Sequence, residues 1–600
     1  MDGVRGKKGQ IPGTTTVLEA CDLSMEYHPK GEKTVQALSQ VTFSACSGKI
    51  TGLVGPDGAG KTTCLRLAVG LLVPAAGDLK VLGRDVVRDI DNLRSRIGYM
   101  PQQFGLYEDL TVAENLSFHA DLKSVSHTKR PGRYKKLLDM TGLTPFTARR
   151  AGRLSGGMKQ KLGIACCLIK TPEILLLDEP TVGVDPVSRR DLWTIVDELV
   201  REDAIGVVVA TTYLDEADRC DQVVLLHQGT IIEMGAPSHF ITGLENRVFI
   251  ATDQDGIGVR ELQRLLYGRT EVIDATIRSG RVRIVVKDTS SARELIDSLP
   301  AGIEIAPVAP VFEDGFMAKM TGLRGNQPVV VLSERSMRKK PDTSEVVVSV
   351  SGLVKKFGDF TAVENISFQV HRGEIFGLLG SNGAGKTTTF RMLCGLLPVT
   401  GGEVEVAGYN LRTSPATARA HLGYMAQKFS LYRQLSVVQN LEFYGKAYGL
   451  SGKKLKTRIE WAMQEFDLAD WAKLSAGNLP GGYRQRLAMA VAMVHEPDIL
   501  FLDEPTSGAD PLARREFWLR INGFSREGVT VIVTTHFMEE AEFCDHMLIM
   551  SEGKNLAAGR PEEIRGLAVT SDNPDPTVED AFIALTDTNV FRTDEGGDNA

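Results

Sequence analysis

The sequence predicts an α/β protein built from two fused copies of one domain, with a small split βαβ module after the first copy. Three observations carry this. First, "TGLVGPDGAGKTTCLRLAVGLL" (51–72) returns as "FGLLGSNGAGKTTTFRMLCGLL" (376–397), which sets Lys61 and Lys386 325 residues apart. Second, three further blocks keep that offset: 98–116 with 423–441, 154–165 with 479–490, and 174–186 with 499–511. Self-similarity in constant register marks a duplication. Third, each copy runs from an apolar strand (50–54, 375–379) through a glycine-rich turn into an amphipathic helix, the order of a parallel α/β sheet.

The composition agrees. A chain of 600 residues exceeds a single core and implies two to four domains. With 42% hydrophobic and 24% charged residues it reads as ordinary globular protein. A net charge of −7 argues against a protein that coats nucleic acid. The 8 cysteines include no C-x-x-C pair and no metal-ligand spacing, so reduced buried thiols in a cytoplasmic protein are expected. The first 16 residues carry basic side chains but no apolar core of a signal peptide. No apolar run approaches the roughly 20 residues of a membrane span. Any membrane role therefore places the pore in another chain.

Along the chain we expect a disordered tail over 1–15, the first copy over 16–245, and an insert with a linking helix over 246–320. A polar, basic linker over 321–344, the second copy over 345–585 and a disordered tail over 586–600 complete the order. The first copy is about 58 residues longer than the second. The extra stretch reads as strand 248–252, helix 259–267, strands 272–277 and 282–287, helix 291–299 and strand 303–307, a βαββαβ pattern. Late in each copy the register slips. Setting Tyr213 of "TTY" on His536 of "TTH" gives an offset of 323, as if the second copy had lost two residues.

"GPDGAGKT" (55–62) and "GSNGAGKT" (380–387) both fit G-x-x-x-x-G-K-[ST] in its required strand–loop–helix context. Gly55, Pro56, Asp57, Gly58, Ala59, Gly60, Lys61, Thr62 and Thr63 form one candidate phosphate cradle. Gly380, Ser381, Asn382, Gly383, Ala384, Gly385, Lys386, Thr387 and Thr388 form the other. Backbone N–H groups at a helix start attract phosphate, the lysines would reach the β- and γ-phosphates, and Thr62 and Thr387 would place a hydroxyl on Mg²⁺. The apolar strands 174–177 and 499–502 end in Asp178-Glu179 and Asp503-Glu504. In such a site the Asp holds Mg²⁺ and the Glu polarises the attacking water.

The ordered set GxxxxGKT, GYMxQ, LSGG, DEPTxGxDP and TTH resembles the nucleotide-binding domains of ABC transporters over nearly the whole chain. The "GYM-[PA]-Q-x-F-x-LY" form, with arginines after DEPTxGxDP, is similar to exporter ATPases whose permeases are separate proteins. Two fused copies with an insert resemble the tandem ATPase subunits of drug-export systems. The alternative is a soluble tandem ABC ATPase acting on ribosomes or nucleic acid. That class usually carries NHLD after DEPT, where this chain has GVDP and GADP.

The resemblance implies P-loop ATPase domains, each with a RecA-like mainly parallel sheet, an antiparallel β subdomain and a helical subdomain bearing the signature. It implies ATP and Mg²⁺, with hydrolysis driving export of a small drug-like or lipophilic molecule. The implied partners are two permease subunits, alike or different, with no nucleic acid and no required homo-oligomer. The implied place is the cytoplasmic face of the inner (plasma) membrane. Gln102 and Gln427 match the Mg²⁺-sensing glutamine, and Tyr27 and Phe357 the aromatic that stacks on adenine. The segments 104–116 and 429–441, with Tyr107 and Tyr432, match the surface that meets a cytoplasmic helix of the permease.

In this family the phosphate loop of one half faces the signature of the other. The second site then comprises Lys386, Thr387, Gln427, Asp503, Glu504 and His536, closed by Ser155, Gly156 and Gly157. The first comprises Lys61, Thr62, Gln102, Asp178, Glu179 and Tyr213, closed by Pro480, Gly481 and Gly482. Pro480 stands where the signature serine belongs and cannot donate to phosphate. The expectation is one consensus site that turns over and one degenerate site that binds ATP.

Overall fold

The computed structural model describes residues 15–28, 34–102, 105–254, 256–300, 302–324 and 344–594. Most of the expected tails and linker lie outside the described residues. The chain divides into two compact units, one holding the first copy up to Phe240, the other Ile241–Ala600 with the short stretch Gly183–Arg189.

In the first unit a six-stranded sheet runs in the order Thr230–Gly235, Gln222–His227, Ile50–Val54, Gly206–Thr211, Ile174–Asp178, Ile97–Met100. Every pairing is parallel except the hairpin of the first two. The central strands ITGLV, ILLLD and GVVVAT are buried at every position, because a parallel sheet is covered on both faces. A four-stranded antiparallel sheet (Val35–Cys46, Thr16–Tyr27, Ala76–Val81, Arg84–Asp85) shares one core with it. The helices Val112–Leu122, Arg130–Thr141 and Gly156–Cys167 pack together as a third part.

The second unit repeats this plan. Its parallel sheet runs Leu422–Met425, Ile499–Asp503, Thr530–Thr535, Ile375–Gly380, His546–Ser551, with Lys554–Gly559 antiparallel at the edge. The same unit holds the insert, an antiparallel sheet ordered Val272–Arg278, Arg281–Val286, Val248–Asp253, Ile303–Pro307. Helices Val259–Tyr267 and Thr289–Ser298 lay Leu262, Leu266, Ala292 and Leu295 on that sheet. The split βαβ pattern read from the sequence is therefore the fold of this module. No helix among the described residues is long and apolar enough to cross a membrane.

Two readings are corrected. Strand Gly206–Thr211 corresponds to Thr530–Thr535, an offset of 324 rather than 323. The turns that follow agree: Tyr213 N donates to Thr211 Oγ1 at 3.0 Å and Phe537 N to Thr535 Oγ1 at 2.9 Å. Tyr213 therefore matches Phe537, and Thr212 is the residue at the place of His536. The copies differ here by one residue, and the preceding helix shows it: Pro186–Glu202 has 17 residues and Pro511–Arg526 has 16. The last helix, Val578–Asp594, also runs well into the stretch 586–600 expected as a tail, and helix Phe312–Arg324 runs into 321–344. The extension of Val578–Asp594 contains no Gly or Pro, whereas that of Phe312–Arg324 continues through Gly322.

Candidate active site

Each phosphate loop is shaped by glycines that no other residue could replace. A Cβ on Gly55 would lie 2.1 Å from Leu226 O, and one on Gly380 2.2 Å from Met550 O. Gly58 and Gly383 hold left-handed φ of 78° and 88° with open space before them. The helices Lys61–Ala68 and Lys386–Leu393 start at Gly60 and Gly385, which offer no side-chain cap. Their first N–H groups are thus left for an acceptor arriving from outside. Lys61 Nζ donates to Gly55 O at 2.7 Å and Pro56 O at 3.0 Å. Lys386 does the same to Gly380 O at 2.7 Å and Ser381 O at 2.9 Å. Both ammonium groups are thereby held over their loops, and burial pushes that of Lys386 below the usual lysine range.

The sheet delivers the carboxylates beside the loops. Thr62 Oγ1 donates to Asp178 Oδ1 at 2.9 Å, whereas Asp178 Oδ2 is buried and accepts no hydrogen bond among the described residues. An orphaned carboxylate oxygen beside a threonine hydroxyl fits a hard cation. A single such carboxylate beside a hydroxyl suits Mg²⁺, which is held by one or two carboxylates plus substrate phosphates. Asp503 accepts from Thr534 Oγ1 at 2.7 Å, and burial raises both Asp178 and Asp503 above the ordinary aspartate range.

Glu179 and Glu504 follow at left-handed φ of 50° and 46°. For a residue other than glycine that conformation costs about 1–2 kcal/mol, and strain of this kind gathers at functional sites. Main-chain bonds hold it: Glu179 N to Ala210 O at 2.8 Å and Glu504 N to Thr534 O at 3.0 Å. Gln102 Nε2 donates to Glu179 Oε2 at 2.6 Å, and Gln427 Nε2 to Glu504 Oε2 at 2.7 Å.

Here the copies part. His536 is fully buried with Nδ1 3.3 Å from Glu504 Oε2. Burial alone would raise Glu504, but the imidazole, Lys386 and Gln427 outweigh it and hold the carboxyl below the usual glutamate range. Glu179 has no imidazole. Burial pushes it up to about 7, with Lys61, 4.0 Å away, only partly opposing the shift. Thr212, in the histidine's place, is buried, and its hydroxyl makes no hydrogen bond among the described residues.

The signature helices differ by one hydrogen bond. Ser155 Oγ accepts from Met158 N at 3.3 Å, capping Gly156–Cys167, and Gly156 and Gly157 form its first turn. Pro480 keeps nearly the same backbone, φ −55° and ψ 155° against −66° and 164°, but caps nothing. Gly481 and Gly482 open the helix Gly481–Met493 behind it. Of the aromatic pair, Tyr27 brings its hydroxyl to 3.5 Å from Thr63 Oγ1 on the phosphate-loop helix. Phe357 is half exposed, with the Lys355 ammonium 5.0 Å from its ring centroid.

Glu216 and Glu540 escape sequence reasoning, yet both are almost wholly buried at the site. Each accepts from the threonine of its DEPT turn, Thr181 or Thr506, and from the threonine before Thr212 or His536. Those second bonds are Thr211 at 2.6 Å and Thr535 at 2.7 Å. The signal was present: the Glu-Ala step three residues past the turn recurs in both copies.

Two phosphate cradles, each with an Asp-Glu strand end and a glycine-opened helix, define a tandem ATPase of the ABC type. The ABC transporter family model matches residues 38–182 and 363–507. The chain is 48% identical over 551 residues to the probable multidrug ABC transporter ATP-binding protein YbhF of Escherichia coli (strain K12), covering 92% of this chain and 94% of that one. It is 39% identical over 222 residues to the Nod factor export ATP-binding protein I of Ralstonia nicotianae, and 35% identical over 223 residues to the daunorubicin resistance ATP-binding protein DrrA3 of Streptomyces coeruleorubidus. Those two matches cover 37% of this chain each, and 69% and 71% of the relatives. The chain belongs to the ABC transporter family, and it binds and hydrolyses ATP.

Proposed function

We propose that this chain is the motor of an exporter in which the Lys386 site hydrolyses ATP and the Lys61 site chiefly holds it. The observation that carries the reading is the His536–Glu504 pair, set against Thr212 and the raised Glu179 at the equivalent positions. Glu504, ionised, accepts a proton from the attacking water, while His536 holds the carboxylate and the γ-phosphate side in register. Thr62 with Asp178, and Thr387 with Asp503, would hold Mg²⁺, which neutralises developing phosphate charge. Gln102 and Gln427, hydrogen-bonded to the two glutamates, would sense it. Following the family pattern, the Pro480 signature closes on the Lys61 site and lacks a donor that the Ser155 signature supplies. Removing one preorganised donor costs about 10²–10³ in rate in other enzymes.

The partners are two permease subunits at the cytoplasmic face of the membrane, and the cargo is a small drug-like or lipophilic molecule, as the names of the relatives suggest. By the family pattern such subunits would dock at Tyr107 and Tyr432, and exposures of 52% and 47% support this. Buried Asn115 and Asn440 hold the backbones at both tyrosines, bonding their carbonyls at 3.0 Å. The copies are taken as 16–245 and 345–585, the insert as 246–320.

Steady-state phosphate release from Lys386→Ala, His536→Ala and Lys61→Ala tests the assignment. The first two lose most turnover and Lys61→Ala keeps a substantial part. Equal loss in Lys61→Ala and Lys386→Ala, or full turnover in His536→Ala, contradicts it. Pull-down from solubilised membranes recovers two integral membrane proteins. Recovery of ribosomes instead overturns the export reading.

A further inference from the structure

Helix Pro511–Arg526 follows the loop of Asp510, which caps it through Ala513 N at 2.9 Å. Three successive residues on this helix reach three different parts of the second unit. Arg514 lays its guanidinium 4.3 Å from the centre of the Phe537 ring, and that ring lies 4.2 Å from the neighbouring His536 ring. Glu516 accepts from Arg486 on the signature helix Gly481–Met493, which also reaches the DEPT loop through Gln485 Nε2 and Ser507 O at 3.3 Å. Between them, Arg515 points into the insert. Its Nη1 donates to Thr276 Oγ1 at 2.5 Å and its Nη2 to Glu313 Oε1 at 2.5 Å, with Asp274 Oδ2 at 3.3 Å.

Arg515 is thus gripped by two carboxylates and a hydroxyl, and Asp274 is almost wholly buried. The fork geometry of arginine makes such a grip directional as well as attractive. A second contact steadies the same interface: Gly280 N donates to Glu542 Oε2 at 3.0 Å, in the segment six residues past His536.

We propose that Arg515 is a positioning residue for ATP hydrolysis: through it the insert fixes helix Pro511–Arg526, and with it the His536 segment and the Pro480 signature helix. The proposal rests on the assignment of Glu504 and His536 as the hydrolytic pair. The insert is then part of the catalytic scaffold and acts without touching nucleotide. Small displacements of positioned groups cost up to about 10²-fold in rate, so loosening this helix lowers kcat while leaving ATP affinity intact.

The test uses the full chain in two variants. Arg515→Met/Asp274→Asn/Glu313→Gln removes the grip while leaving no unpaired buried charge. Glu313→Gln is milder and keeps Asp274 opposite Arg515. The triple variant should retain its melting temperature and its affinity for a fluorescent ATP analogue, with kcat reduced roughly tenfold. Glu313→Gln should show a smaller fall in kcat with KM unchanged. Unchanged kcat in Glu313→Gln, or loss of affinity in place of kcat, overturns the proposal, and the mild variant decides if the triple one does not fold. His536→Ala runs alongside. Full turnover there defeats the site assignment itself, whereas an inactive His536→Ala beside a normal Glu313→Gln defeats only the role of Arg515.

Discussion

At the scale of single residues, the difference between Ser155 and Pro480 is one hydrogen bond in a conserved backbone shape. Ser155→Ala removes a cap worth about 1 kcal/mol. Amide exchange at Met158 should therefore quicken about fivefold by RT ln K, while Pro480→Ala leaves Tyr483 exchange nearly as it was, there being no cap to lose. Equal changes at the two amides would contradict this. His495 gives a pH signature. Its ring stacks on Tyr448 at 3.7 Å and its Nε2 bonds Leu422 O at 3.0 Å. Burial pushes the imidazole down to about 4. The unfolded chain takes up this proton first as pH falls below about 6.5, so the stability contribution is intact above that pH and lost on the way down to about 4. The slope is at most about 1.4 kcal/mol per pH unit. The fall in melting temperature between pH 7 and 5 should be smaller in His495→Gln, and an identical fall excludes the effect. The lysines, threonines and Asp-Glu pairs were legible in the sequence because loop chemistry demands those residues at fixed spacing. Glu216 and Glu540 left only the repeated Glu-Ala step, and nothing in that step tells that the carboxylate is buried and serves two threonines.

At the scale of elements, strands buried on both faces and helices with one apolar face are readable from their patterns, and the six elements of the insert came through within a few residues. What joins those elements was not readable. Arg283 on strand Arg281–Val286 donates Nε to Asp314 Oδ1 at 2.9 Å and Nη2 to Oδ2 at 2.6 Å, tying the insert's sheet to helix Phe312–Arg324. Arg283→Met strands a buried carboxylate and should destabilise the insert by about 3–5 kcal/mol. Hydrogen exchange in strand Arg281–Val286 reads this directly. Arg283→Met/Asp314→Asn should recover most of the loss, and a double variant as labile as the single one would show that the pair is not what holds the helix. The register slip before the turns at Tyr213 and Phe537 is an element-scale lesson too. A short alignment of TTY with TTH looks natural, yet the hydrogen bonds of Thr211 and Thr535 set the phase one residue away.

At the scale of the whole molecule, duplication lets one chain carry two ATP sites and then lets them diverge. The correction at Thr212 sharpens that divergence, because a threonine provides neither the reach nor the charge of an imidazole. The first copy keeps Lys61, Thr62, Gln102, Asp178 and Glu179, with Lys61 over its loop and Gln102 on Glu179 as Lys386 and Gln427 are placed in the second, so on the proposed reading the first site still holds ATP while the second turns it over. Such asymmetry was partly legible: Pro480 announced itself in the sequence, but the contrast between a Glu179 pushed up to about 7 and a lowered Glu504 arises only from burial and neighbours. The central claim is that hydrolysis belongs to the second site. The most direct measurement is steady-state phosphate release from the purified chain carrying Glu504→Gln or Glu179→Gln. The account predicts that Glu504→Gln abolishes nearly all turnover while Glu179→Gln keeps most of it; equal loss in both variants, or the reverse order, would contradict it.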